Sequence, residues 1–176
     1  MTKFGYKQSD SDHTLFLKRQ KGRITCLIIY VDDIIITGDD KEEIGILKKQ
    51  LSCEFEMKDL GYLKYFLGIE VLRSKGCIFI NQRKYILHLL AETGMIDCKP
   101  ADTPIIAHHG LQMIKGGKLA YREQYQRVVR KLIYLAHTRP DNLYAVGIVS
   151  RFMHQPQIHH TGAVMRILRY LKGTSS

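Results

Sequence analysis

The stretch Leu27-Ile-Ile-Tyr-Val-Asp-Asp-Ile-Ile-Ile-Thr37 places two adjacent aspartates, Asp32 and Asp33, between two short apolar runs. Both runs are rich in isoleucine, and Tyr30-Val31 precedes the acids. β-Branched and aromatic residues of this kind favour β-strands. Because only two residues separate the runs, the spacing is typical of a tight β-hairpin. The sequence therefore predicts a hairpin over Leu27–Ile36 with both carboxylates at its tip.

Adjacent carboxylates repel each other, and their placement between apolar strands is costly unless something offsets that repulsion. A divalent cation does so, because Mg²⁺ takes oxygen ligands and two-metal phosphoryl transfer uses rigidly held carboxylates. The alternative is an ordinary hairpin turn, where aspartate is common. Asp-Asp in a turn is weak evidence by itself. Tyr-Val-Asp-Asp between two apolar strands favours a catalytic origin, with Asp32 and Asp33 as metal ligands.

The segments around the hairpin predict an α+β fold. Gly38 ends the second apolar run, and Asp39 or Asp40 can cap a helix that follows. The apolar stripe of this helix is Ile44, Leu47 and Leu51. The other predicted strands cover residues 14–20, 24–31, 54–58, 63–72 and 77–81.

From Gln82 the apolar spacing becomes helical and continues to Gly94, with one apolar face. Residues 99–118 are aperiodic and contain several Pro and Gly, which predicts a linker. After the linker the chain is predicted to be helical, with a second helix from Pro140 to about Phe152. The stripe of the first of these helices is Tyr121, Tyr125, Val128, Val129, Leu132, Ile133 and Ala136. The stripe of the third is Ala163, Val164, Ile167, Leu168 and Leu171.

Positive charge is concentrated in the C-terminal part of the chain. Residues 101–176 contain 11 Lys and Arg against 3 Asp and Glu, whereas residues 1–100 contain 16 against 14. Such an imbalance indicates an acidic partner, most often nucleic acid, with a solvated basic face as the alternative. The basic residues that lie off the apolar stripes are Arg122, Arg127, Arg130, Lys131, Arg166, Arg169 and Lys172.

Several other classes of protein are disfavoured. The four cysteines stand far apart without a Cys-x-x-Cys pair, which disfavours a zinc site and a secreted disulfide framework. The pairs His108-His109 and His159-His160 are interpreted as surface or capping residues. The N-terminus lacks an apolar targeting core, and no apolar run is long enough for a membrane span. We expect an intracellular protein, cytoplasmic or nuclear.

Five stretches, in order along nearly the whole chain, carry a recognisable pattern. They are LIIYVDDIIITGDD from Leu27, FEMKDLGYLKYFLGIEV from Phe55, QRKYILHLLAETGMIDCKPADTP from Gln82, LIYLAHTRPDNLYAV from Leu132 and MRILRYLKGT from Met165. Together they resemble the reverse transcriptase of copia-type long-terminal-repeat retrotransposons. The resemblance implies an enzyme that makes DNA on RNA and DNA templates, within a polyprotein that also contains protease, integrase and ribonuclease H.

The resemblance also implies roles for individual residues. Asp32 and Asp33 would be the paired palm carboxylates that hold Mg²⁺, with Asp32 the direct ligand. Tyr30 would lie beside the primer end and the incoming nucleotide. Lys58 resembles a lysine near the triphosphate that acts as general acid, although Lys64 is close in sequence and a solvated strand residue is the alternative.

By the same resemblance, Phe66-Leu67-Gly68 corresponds to the primer-grip hairpin. Residues 1–81 would form the C-terminal part of the palm, residues 82–118 a thumb helix with a linker, and residues 119–176 a helical connection region. The implied partners are an RNA or DNA template–primer and the remainder of a Pol polyprotein, including the fingers and ribonuclease H. No membrane partner is implied.

Parts of a complete polymerase are missing. A palm needs a third carboxylate on a neighbouring strand, and Asp10 and Asp12, in a polar run, are not interpreted as that group. Finger motifs and a downstream set of ribonuclease H acids are also absent. Arg130 stands where the family usually has a small residue, and HHTGAVM from His159 departs from the family pattern.

Two classes of function remain open. The chain is either part of a Mg²⁺-dependent nucleotidyltransferase, predicted to be inactive alone, or a non-catalytic nucleic-acid-binding or inert transposon relic. A diguanylate-cyclase-like palm is a third reading, but Tyr30-Val31 occupies the place where that family would have Gly-Gly.

Overall fold

The computed structural model describes residues 1–174, a mixed α/β chain with antiparallel sheets and, in that range, five α-helices. The predicted combination of strands followed by helices is confirmed. The chain divides into two compact units, Met1–Leu63 and Lys64–Ser176. The predicted functional boundaries at residues 81 and 118 differ from this division and stay a prediction.

The first unit is a four-stranded antiparallel sheet in the order β1-β2-β3-β4, followed by one helix. A 3₁₀ turn at Thr2–Phe4 precedes it. Its elements are β1 (Lys7–Gln8), β2 (Leu15–Gln20), β3 (Arg23–Tyr30), β4 (Asp33–Gly38) and α1 (Lys41–Glu54). Of the two predicted caps, Asp39 and Asp40, the Asp40 side chain caps α1, accepting a hydrogen bond of 3.1 Å from the amide of Glu43.

The register of β3 and β4 is fixed by the core beneath them. Leu27 pairs with Ile36, and Ile29 pairs with Ile34. These side chains pack in one cluster with Leu47 of α1, and both Leu27 and Leu47 have no exposed surface. Because residues directly opposite on paired strands share a face, the alternate pairs point away from α1.

Three predicted strand boundaries are wrong. The two-residue turn between β3 and β4 consists of Val31 and Asp32, so Asp33 begins β4 rather than completing the turn. Residues 54–58 form no strand, because α1 extends to Glu54 and an irregular segment follows. The predicted strand over 63–72 is interrupted, since the chain reverses at Leu67-Gly68.

The second unit combines a three-stranded antiparallel sheet, order β5-β6-β7, with four helices. None of the helices within residues 1–174 is long and apolar enough to cross a membrane. The strands are β5 (Tyr65–Phe66), β6 (Ile69–Arg73) and β7 (Ile78–Asn81). The helices are α2 (Arg83–Glu92), α3 (Arg122–Ala136), α4 (Leu143–Ser150), which follows a 3₁₀ turn at Pro140–Asn142, and α5 (Ile158–Gly173).

The core of the second unit lies between its helices. The predicted apolar stripes of α2, α3 and α5 contribute to it together with α4. Its residues without exposed surface are Leu90, Val129, Ala145, Val149, Ile167, Leu168 and Leu171. Two positions of the α3 stripe are wrong. Tyr121 precedes the helix and is 69% exposed, and Ile133 is 40% exposed while Leu135 is buried in its place. The apolar arc of α3 is therefore rotated by part of a turn from the predicted one.

The predicted linker, residues 99–118, contains no helix or strand, yet it follows a fixed path along α5. The Gln157 side chain holds it, accepting from the Ile114 amide at 2.9 Å and donating to the Ile114 carbonyl at 2.8 Å. The buried His160 also contacts it, because its Nε2 lies 3.2 Å from the Gln112 carbonyl oxygen. Hydrogen bonds therefore replace secondary structure in this segment.

A charged network joins the end of α5 to the turn before α4. Arg139 donates two hydrogen bonds to the Asp141 carboxylate, at 3.0 and 2.7 Å, and a third of 2.8 Å to the Thr174 hydroxyl. The Tyr170 hydroxyl donates to the same carboxylate at 3.0 Å. The Arg139 guanidinium lowers the pKa of Asp141, followed by the Tyr170 hydrogen bond as a smaller cause.

We expect Asp141→Asn to lower the free energy of unfolding at pH 7 by about 1 kcal/mol, the scale of a partly exposed ion pair. The pKa of Asp141 is lower in the folded chain than in the unfolded chain. Asp141 therefore stabilises the fold fully at pH values above its unfolded-state pKa, and this stabilisation is lost as the pH falls through its folded-state pKa. The difference from the unmodified chain should therefore shrink as the pH falls from about 4 to about 2 in urea titrations. Asp102→Asn, which changes an exposed carboxylate, is the control. A difference that does not change with pH would contradict the ion-pair explanation.

Candidate functional site

The tip of the β3–β4 hairpin carries both candidate carboxylates. Tyr30 and Asp33 are directly opposite each other in the ladder and share the face that points away from α1, while Asp32 lies in the turn. Both aspartates are exposed, and neither side chain makes a hydrogen bond or ion pair within the described part of the chain. Two carboxylates are thus held on a rigid hairpin with their oxygens available to a ligand.

The backbone at the tip is strained. Val31, the first turn residue, has a φ of +50° and is 83% exposed. A β-branched side chain rarely adopts this left-handed conformation, which costs about 1–2 kcal/mol for an L-residue. The buried pairs of the two strands determine the register and so impose this conformation on Val31.

The hairpin tip carries two carboxylates, which are groups that can bind a metal ion. Among residues 1–174, no group of three or more His, Cys, Asp and Glu side chains is arranged to bind a metal ion. The donor chemistry of Asp32 and Asp33 fits Mg²⁺, because this ion takes oxygen ligands. Since Mg²⁺ requires near-octahedral coordination, two carboxylates leave most of its shell to other ligands.

The remaining predicted catalytic and primer-grip residues belong to different units. Lys58 is exposed in the irregular segment after α1, in the first unit. Phe66 ends β5 in the second unit, and Leu67-Gly68 form the two-residue turn to β6. Both turn residues have positive φ, +47° and +86°, the pattern of a tight hairpin turn.

The structure divides the seven predicted nucleic-acid-binding residues into three groups. Arg127 and Lys131 form ion pairs with Glu92 of α2. Arg166 donates to Thr103 at 2.9 Å, and Lys172 donates to the Ile96 carbonyl, so both contact the segment that runs along α5. A third residue of α5, Arg169, is also half-buried, and its Nε and that of Arg166 are buried without an acceptor. The third group, Arg122 and Arg130, is exposed and forms no ion pair within residues 1–174.

Two adjoining clefts lie on the second unit, each with a volume of about 430 Å³, and Arg122 lines the first. They share His154 and Gln155, and Arg151 lines the second cleft. No acidic side chain lines either of them. Arg151 and His154 are not predicted from the sequence, because no local pattern marks them. His154 shares a cleft with Arg122 through tertiary packing alone. The clefts therefore present cationic and hydrogen-bonding groups without a competing carboxylate.

Comparison with known proteins gives one consistent result. Residues 1–107 match the family model described as reverse transcriptase (RNA-dependent DNA polymerase). The chain is 45% identical, over 97% of its length, to the retrovirus-related Pol polyprotein from transposon RE1 of Arabidopsis thaliana. It is 38% identical, over 97% of its length, to the corresponding polyprotein from transposon TNT 1-94 of Nicotiana tabacum.

The similarity extends to yeast, where the chain is 29% identical over its whole length to a putative transposon Ty5-1 protein of Saccharomyces cerevisiae, covering 58% of that protein. The chain spans only 12% and 14% of the lengths of the two plant polyproteins. No solved structure gives a significant match.

The strain at Val31 predicts the effect of a substitution. Val31→Gly should stabilise the hairpin by about 0.5–1 kcal/mol, because relief of the left-handed conformation exceeds the added entropy of the unfolded chain. Amide hydrogen exchange at Tyr30 and Asp33, which pair directly across the turn, should slow accordingly. Ile35→Gly, placed in extended β4, is the control and should destabilise the hairpin. Equal destabilisation by the two glycines would show that Val31 carries no strain.

Proposed function

Because the chain belongs to the reverse transcriptase family of copia-type Pol polyproteins, we propose that it supplies the second half of a polymerase palm and the following thumb region. The observation that supports this most is the hairpin tip, where Asp32 and Asp33 are adjacent and exposed and their side chains have no partner among residues 1–174. A hairpin fixed by buried Leu27 keeps these carboxylates in one orientation, as an electrostatic catalyst requires.

In this proposal, Asp32 and Asp33 hold Mg²⁺, with Asp32 as direct ligand. When bound, Mg²⁺ acts as a Lewis acid on phosphoryl oxygens and offsets their developing charge. Tyr30 shares the exposed face with Asp33 and would contact the primer end and the incoming nucleotide. Lys58 would donate a proton to the leaving group, a role supported only by its family position and its exposed side chain.

A third carboxylate would come from a neighbouring strand. β4 is the last strand of its sheet, so its outer backbone groups have no strand partner within the described residues. Such an edge pairs readily with a further strand. A strand along β4 would bring a side chain beside Asp33, which makes this edge the place for the missing ligand from the rest of a Pol polyprotein.

The second unit would contact the template–primer. Phe66, Leu67 and Gly68 form a half-buried hairpin turn, with Leu67 exposed, that is suited to a primer grip. The division into palm (1–81), thumb helix with linker (82–118) and connection region (119–176) is part of this proposal. The other partners would be the fingers and ribonuclease H of the same polyprotein.

A second function, nucleic-acid binding without catalysis, is favoured by the clefts around His154. Arg122 and Arg151 border them, and Arg130 lies on the same helix as Arg122, all three exposed and without ion pairs in residues 1–174. Lys and Arg contacts to phosphates carry no sequence information, so binding should not depend on base sequence. A few such contacts support affinity in about the micromolar range.

The purified chain should not extend a primer. Two carboxylates give an incomplete metal site, and no finger residues are present to bind the triphosphate. The measurement is incorporation of deoxynucleotides into a DNA primer on an RNA template, with Mg²⁺ or Mn²⁺. Incorporation that is lost in Asp32→Asn would show that the chain holds a complete active site. Incorporation that persists in Asp32→Asn indicates a contaminating polymerase.

Binding of a labelled RNA–DNA hybrid should weaken as salt rises, by about 0.9 log units per log unit of salt for each phosphate contact on a duplex. Changing both Arg122 and Arg151 to Gln should therefore reduce the slope by almost two. The matched control changes Arg127 and Lys131 to Gln, which removes the same charge from groups already paired with Glu92. A response to salt that is flat in the unmodified chain would exclude phosphate binding. An equal loss in both double variants would assign binding to net charge rather than to the clefts.

A further inference from the structure

The turn at Leu67-Gly68 joins a very short edge strand to its sheet. β5 contains only two residues and pairs with β6 through two residue pairs, Tyr65 with Glu70 and Phe66 with Ile69, and one further hydrogen bond runs from the Val71 amide to the Lys64 carbonyl. β6 is itself supported by β7, but so short an edge strand fixes the orientation of its turn only weakly. Contacts from other elements of the second unit therefore determine the orientation of the turn.

Two tyrosines from different helices do so. The Tyr134 hydroxyl, on α3, donates a hydrogen bond to the Leu67 carbonyl. The Tyr85 ring, on α2, lies against Gly68, where an added Cβ would approach its Cδ2 to 3.4 Å. The two rings contact each other edge to face, with centroids 5.3 Å apart. The turn is thus held on its carbonyl side by one tyrosine and on its glycine side by the other.

Tyr85 is itself anchored between the helices. Its ring packs against the helical core, and its hydroxyl donates to the Lys131 carbonyl of α3 at 3.5 Å. Burial raises the pKa of Tyr85, with the neighbouring Tyr134 as the next cause, so its ring is held in an apolar setting. The position of the turn is therefore coupled to the packing of α2 against α3.

We infer that Tyr134 and Tyr85 are positioning residues, which hold the Leu67-Gly68 turn in the orientation that contacts a primer terminus. The inference rests on the proposed primer-grip function of this hairpin. A purely stabilising role explains this contact poorly. One hydrogen bond from a partly exposed hydroxyl adds little to the free energy of unfolding of a unit with a large buried core. Its effect is instead local: it selects one orientation of a turn that two ladder pairs leave loosely held.

The test compares Tyr134→Phe with Tyr170→Phe in the full chain. Each change removes one hydroxyl, and Tyr170 donates to Asp141 at the far end of α5. Tyr134→Phe should increase amide hydrogen exchange in residues 65–73 about five-fold, the factor for one ordinary net hydrogen bond. Tyr170→Phe should leave this segment unchanged, while urea midpoints of the two variants stay similar.

The functional readout is photocrosslinking from a primer whose 3′-terminal nucleotide is a photoactivatable thiothymidine, annealed to RNA, with the crosslinked peptide mapped by mass spectrometry. Crosslinking to residues 65–68 should fall several-fold in Tyr134→Phe and not in Tyr170→Phe, at unchanged total hybrid binding. Tyr85→Ala should reduce it as well. A crosslink that is equal in the unmodified chain and in Tyr134→Phe would overturn the positioning role and leave the primer grip intact. Absence of the crosslink in the unmodified chain would reject the primer grip, and the inference with it.

Discussion

The pairing of Leu27 with Ile36 against α1 is the constraint on which the hairpin tip depends. Side chains alternate between the two faces of a sheet, so a slip of one residue would turn Asp33 toward the core. An unpaired carboxylate there would be costly, since burying a charge without a partner destabilises the folded state by several kcal/mol. The buried leucine thus decides that Tyr30 and Asp33 share the exposed face, and it forces Val31 into the left-handed region.

Some of this fold is readable from the sequence and some is not. The buried Leu47 and Leu51 follow from spacing alone, and so does a cap at Asp39 or Asp40, of which the structure uses Asp40. The two residues of the hairpin turn cannot be predicted in this way. Ile34-Ile35-Ile36 is apolar throughout, so no alternation of apolar and polar residues shows which side chains face the core. Only the packing of α1 on one side of the sheet resolves it.

The candidate site shows the same limit. Family resemblance identifies the two aspartates, but charge counts do not distinguish a cation that is available from one that is already engaged. Glu92 forms ion pairs with Arg127 and Lys131, and Thr103 accepts a hydrogen bond from Arg166. The pair His159-His160 gives a second example. His160 caps α5, which is one of the two roles predicted for the pair. It is nevertheless completely buried, because the segment before α3 covers it. These outcomes depend on tertiary contacts between residues far apart in sequence.

The fastening of residues 99–118 by Gln157 has a consequence for how this segment tolerates change in length. Doubling a loop costs only about 0.6 kcal/mol of closure entropy, so extra residues on either side of the fastening are cheap. The residues that contact Gln157 do not tolerate change in the same way, because a Cβ added at Gly117 would lie 2.4 Å from the Gln157 side-chain nitrogen. Insertions should therefore accumulate between residues 104 and 112 in homologous chains, while the spacing from Ile114 to Gly117 keeps its length.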